Sequence, residues 1–71
     1  MNTCRYKIED ISVGDEVYFY SKETQSNFDR DWEVTYISGK WLYVKLEIVQ
    51  NIEATIITID EVIRHTPKTE K

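Results

Sequence analysis

The clearest pattern in the chain lies at residues 41–48. Leu42, Val44, Leu46 and Ile48 alternate there with Trp41, Tyr43, Lys45 and Glu47. A period of two predicts a strand with one buried face and one wet face. A second run, Trp32-Glu33-Val34-Thr35-Tyr36-Ile37, precedes it, with Ser38-Gly39-Lys40 between them. Gly39 reaches positive φ at little steric cost, so the two runs are expected to form a hairpin. Val17-Tyr18-Phe19-Tyr20 is a third run of β-branched and aromatic residues, and Gly14-Asp15 before it supplies turn chemistry. Gln50-Asn51 breaks the pattern before a strand at 54–59. Asp60-Glu61 suits a single tight helical turn, and Val62-Ile63-Arg64-His65 a short last strand.

Residues 21–31 form the one long loop, rich in Ser, Thr, Gln, Asn and Asp. No stretch of ten or more residues has helical apolar spacing without heavy β-branching. Five short strands predict an all-β domain, best stabilised as a small barrel that hides its strand edges. Its expected interior is Val13, Val17, Phe19, Val34, Ile37, Leu42, Val44, Leu46, Ile57, Ile59 and Val62. Val34 and Ile37 are three apart, which strict alternation forbids on one face. A bulge or sharp coil in the second strand resolves this; otherwise Tyr36 points inward and Ile37 outward. The domain is expected over 11–66, with an N-terminal extension at 1–10. Pro67 blocks ladder pairing, so 67–71 is expected to be a loose polar tail.

Composition narrows the chemistry. At 71 residues the chain is one domain, with a marginal core helped by 2 Trp, 5 Tyr and 2 Phe. Residues 1–33 hold eight acids and four bases; the rest hold five of each, for a net charge of −4. No Lys/Arg cluster occurs, which argues against general DNA affinity. One cysteine, Cys4, permits no internal disulfide and suggests a reducing, cytoplasmic setting. No apolar run approaches a membrane span or a signal-peptide core. One Cys and one His, His65, do not make a four-ligand zinc site. A Cys4–His65 nucleophile pair would need the two chain ends to meet, and an incidental Cys with a strand-surface His is the simpler reading.

The segment Ile11-Ser12-Val13-Gly14-Asp15-Glu16-Val17 resembles the entry to the first strand of SH3-like barrels, including Tudor-like and KOW-like domains. Gly permits the sharp turn there and Asp accepts backbone N–H groups across it. The long first loop, the Gly39 hairpin and the turn at 59–62 fall in the order that fold uses. The resemblance covers residues 11–66 and implies a small five-stranded SH3-like barrel, a fold that hosts many unrelated roles. The whole chain also resembles the YorP-type small proteins of a Bacillus prophage. That resemblance implies a phage-derived cytoplasmic protein and carries no catalytic residues.

Two constellations bear on function. Asn27, Asp29, Asp31 and Glu33 place oxygens at every second position, as calcium loops do. However, Trp32 stands where such a loop needs Gly, Ser38 where it needs a bidentate acid, and Arg30 lies inside. No metal and no cofactor are therefore expected. The aromatics are the stronger lead. Alternation sends Tyr18, Tyr20, Trp41 and Tyr43 outward, while Phe28 and Trp32 lie at the long loop beside Asp29 and Asp31. Ring faces beside carboxylates attract cationic segments. Outward rings also simply cover strand neighbours, and Trp32 could instead plug the barrel end.

The leading expectation is a noncatalytic, monomeric binding module for a protein or peptide, using Tyr18, Tyr20, Phe28, Asp29, Asp31, Trp32, Trp41 and Tyr43. The alternative is single-stranded or structured nucleic-acid binding on the same aromatics, which needs Lys40, Lys45 and Arg64 to converge near them. No nucleophile–base pair or phosphate loop points to an enzyme.

Overall fold

A computed structural model describes residues 5–68. Cys4, and with it the Cys–His pairing, lies outside the described residues. The chain is all-β: five antiparallel strands form one sheet in the order β4-β3-β2-β1-β5. The strands are β1 (Glu16–Phe19), β2 (Trp32–Ser38), β3 (Trp41–Ile48), β4 (Asn51–Thr58) and β5 (Val62–Thr66). Single 3-10 turns occur at Ile8–Asp10 and Ile59–Glu61, the second where the sequence predicts one. Among the described residues no helix is long and apolar enough to cross a membrane.

The hairpin at Gly39 forms as expected, with φ +60 at the glycine. The next turn is shorter than expected. Ile48 pairs directly with Asn51, so β4 begins three residues early and Gln50 takes φ +60. β4 and β5 lie at the two ends of the strand order, and no ladder joins them among the described residues. The Ile59–Glu61 turn carries the chain across that gap. Ile59 N–H donates to Lys40 O at 3.0 Å, and Glu61 O accepts from Tyr20 N–H at 2.9 Å.

The core is Ile11, Val17, Phe19, Trp32, Val34, Leu42, Val44, Leu46, Ile57, Ile59 and Val62. Val13, expected inside, is 54% exposed. It precedes the Gly14 turn, so alternation counted back from Val17 does not reach it, and Ile11 fills the core instead. The β2–β3 register shifts between Val34 and Tyr36. This bulge turns Ile37 against the core and leaves Tyr36 exposed, which settles the side of each.

Gly14 holds φ +100, a conformation side chains with Cβ rarely adopt. The turn there places Gly14 N–H on Val34 O and Val34 N–H on Asp15 O, both at 2.8 Å. These bonds carry the β1–β2 pairing past the end of the ladder.

Candidate functional site

The bulge in β2 and the regular β3–β4 ladder determine what the outer face of the sheet presents. Tyr36 stands opposite Tyr43, and Tyr43 opposite Ile56, so the three side chains form one row across β2, β3 and β4. They are 58%, 38% and 46% exposed respectively. The two tyrosine rings meet edge to face, with centroids 5.3 Å apart. Trp41, two residues from Tyr43 on β3, shares this face and is also exposed, with Lys40 Nζ 5.7 Å from its ring. Thr35, displaced by the bulge, donates its hydroxyl to Tyr43 O at 3.1 Å. A shallow depression lies along Thr35, Tyr43, Ala54 and Ile56.

Tyr36 and Ile56 were absent from the residues expected to bind. The signal for Tyr36 is the three-residue spacing of Val34 and Ile37, which a bulge reconciles by turning Tyr36 outward. Ile56 became an outward neighbour of Tyr43 only through the two-residue turn at 49–50.

The other expected residues are grouped differently from the prediction. Tyr18 does not join Trp41 and Tyr43. It lies with the loop acids: its hydroxyl donates to Asp29 Oδ1 at 2.7 Å, and Arg64 stacks 4.7 Å above its ring. Arg64 in turn donates to Asp31 Oδ1 at 2.9 Å. The Asp29 hydrogen bond favours the neutral phenol and raises the Tyr18 pKa; the Asp31 hydrogen bond raises that of Arg64. Both loop acids are thus engaged by the chain's own groups. Tyr20 is exposed beyond the end of β1.

Trp32 requires a correction. Expected among the partner-contacting residues, it is 2% exposed and packs edge to face on Phe19 at 5.2 Å. Its Nε1–H donates to Asn27 O at 2.9 Å, which satisfies the indole inside the core. Asn27 also organises the loop. Its Nδ2 donates to Phe19 O at 2.7 Å, and its Oδ1 accepts Asp29 N–H at 2.8 Å. Phe28 and Asp29 both take positive φ, and the Phe28 ring leans on Trp32 at 6.2 Å. Among the described residues no group of three or more His, Cys, Asp or Glu is placed to hold a metal ion.

His65 also departs from the expected surface position. Its side chain is 10% exposed and its Nε2 lies 2.8 Å from Asp15 Oδ2. A carboxylate only accepts, so Nε2 carries the proton in this contact. Asp15 also accepts Ser12 N–H and Lys68 N–H, each at 2.9 Å. The pair therefore ties the start of the expected tail to the turn before β1. It acts as a clasp between β5 and the turn before β1.

Of the three cations named for nucleic-acid binding, Lys40 and Lys45 flank the aromatic row and Arg64 does not join them. Arg64 is held by Asp31 and Tyr18 on β5. Lys45 lies between Glu33 at 3.9 Å and Glu47 at 3.6 Å, and Lys40 sits by Trp41 at the hairpin turn. Compared with protein-family models, with curated proteins and with solved structures, the chain matches none.

Proposed function

We propose that this chain is a noncatalytic binding module that receives a protein or peptide partner on the outer face of β2, β3 and β4. The observation that carries this reading is the Tyr36–Tyr43–Ile56 row, continued by Trp41, which leaves large apolar side chains in water at adjacent register positions. A contiguous exposed apolar patch on so small a domain is a mark of an interaction surface. Tyrosine and tryptophan also present broad contact area at low entropic cost. The partner segment that fits is apolar or aromatic at its centre. The Lys45, Glu33 and Glu47 charges at one end of the face offer polar rim contacts. The resemblance to YorP-type prophage proteins supports a partner met in the cytoplasm of a phage-bearing cell.

The test is capture from such a cell's lysate with the native chain and with Tyr43→Ser. Loss of a captured protein at an unchanged melting temperature supports the face as the site. Capture that survives Tyr36→Ser and Tyr43→Ser together removes it. Recovery of nucleic acid alone, in a salt-sensitive manner, favours the stacking alternative.

A further inference from the structure

The two edges of the sheet are built differently. β5 is short, carries Arg64 and is followed by Pro67, and its ladder with β1 shifts register between Tyr18 and Phe19. These features blunt an edge against pairing with another strand. β4 has none of them. Its ladder with β3 runs from Trp41↔Thr58 to Ile48↔Asn51 without a shift. Its sequence, Asn51-Ile52-Glu53-Ala54-Thr55-Ile56-Ile57-Thr58, has no Lys, Pro or Gly and a single charge.

The backbone groups available on that edge follow from the turn. Val49 and Gln50 make a two-residue connection, so Ile48 and Asn51 form the closely bonded pair. Alternation then turns the N–H and C=O of Ile52, Ala54, Ile56 and Thr58 away from β3. Thr58 N–H agrees, since it donates to Glu61 Oε1 at 3.4 Å. Among the described residues, Ile52, Ala54 and Ile56 have no backbone partner on that side.

We propose that this edge pairs with the same edge of a second copy, antiparallel, about a two-fold axis at Ala54. The sequence selects that register. A two-fold axis normal to the sheet keeps each side chain on its own face, so only pairs of like orientation can stand opposite. Centring on Ala54 puts Ile52 opposite Ile56 of the second copy and Ala54 opposite its own mate. All three free positions then exchange hydrogen bonds. Glu53 falls opposite Thr55 of the second copy. Centring on Glu53 would oppose two carboxylates, and centring on Thr55 would require the Thr58 N–H already given to Glu61. Charge and hydrogen bonding thus agree on one register.

The pairing sets exposed apolar side chains side by side, Ile52 and Ile56 being 59% and 46% exposed. It lengthens the Tyr36–Tyr43–Ile56 row with Ile52 of the second copy and does not cover it. A single strand edge falls below the roughly 1,200 Å² of a standard interface, so the dimer is weak and depends on concentration. It differs from the monomer expected from the sequence.

Sedimentation across micromolar to near-millimolar concentration tests this. The native chain should move from monomer to dimer mass. Ala54→Glu, which brings two like charges together on the axis but faces Lys45 within each copy, should stay monomeric with no loss of melting temperature. A second arm uses Ala54→Cys in a Cys4→Ser background. The Cα atoms of a hydrogen-bonded antiparallel pair stand about 5.5 Å apart, within disulfide reach. That variant should oxidise to a covalent dimer, while Val49→Cys, exposed at the turn, should lag at least tenfold. A native chain that stays monomeric at every concentration overturns the proposal. So does association that Ala54→Glu leaves intact, or equal cross-linking rates for the two cysteine variants.

Discussion

His65 Nε2 stands 2.8 Å from Asp15 Oδ2 and joins the last strand to the turn before the first, fifty positions earlier in the chain. Both side chains are largely buried, and Asp15 has three further constraints: two backbone N–H groups on its oxygens and its own carbonyl on Val34 N–H. Burial alone pushes the Asp15 carboxyl up. The hydrogen bonds from His65, Lys68 and Ser12, with the His65 charge, outweigh it and hold the carboxyl below its ordinary 3.8.

The sign of the pH dependence follows. A carboxyl with a lower pKa when folded binds fewer protons in the native state. Its contribution is complete above the unfolded value and is lost as pH falls through the folded one. Urea midpoints should therefore drop below about pH 4. Asp15→Asn should flatten that drop and cost about 2 kcal/mol at neutral pH, the scale of a buried charge-assisted hydrogen bond. A native-like acid profile in Asp15→Asn would assign the drop to other carboxylates.

Gly14→Val is expected to destabilise by about 1 kcal/mol or more, because φ +100 is unfavourable for any residue with Cβ. An added Cβ would also come within 2.6 Å of the Lys68 side chain. Lys68 is flexible, so the double variant Gly14→Val with Lys68→Ala separates the two causes. Most of the loss should persist in it. Full recovery would mean that crowding, not backbone conformation, makes the glycine necessary.

Much of this fold was legible because its signals were local. The alternation at 41–48 survives as β3 without a change of boundary, and the Val34–Ile37 spacing announced the bulge. The losses came where a residue's environment is made by distant chain. His65 reads as a surface strand residue because Asp15, its partner, lies fifty positions away in sequence. Tyr18 alternates outward like Tyr43, yet the long loop folds Asp29 onto it, and β5 brings Arg64. The candidate site shifted for the same reason: neighbours across strands depend on register, and one unexpected two-residue turn brought Ile56 beside Tyr43.

The loop and its tryptophan give the sharpest contrast between neighbouring positions. Trp32 and Trp41 open the two strands of one hairpin, yet one is 2% and the other 46% exposed. Trp32→Ala should cost about 3–5 kcal/mol, the range for removing a large buried aromatic, and in so small a domain that is enough to unfold it. Trp41→Ala should fall within about 1 kcal/mol, since its ring packs on the outer face. The acids beside Trp32 behave as surface groups: Asp29→Ala with Asp31→Ala removes one phenol hydrogen bond and one exposed ion pair, and should leave the domain folded. Intrinsic fluorescence reads the same contrast without unfolding. In Trp32→Phe the remaining emission should be red-shifted and readily quenched by iodide; in Trp41→Phe it should be blue-shifted and protected. A captured partner should shift emission from Trp41 only. If instead it protects Trp32, or if the paired acid substitutions abolish its capture while Tyr43→Ser does not, the binding surface is the long loop and the outer face of β2, β3 and β4 is not.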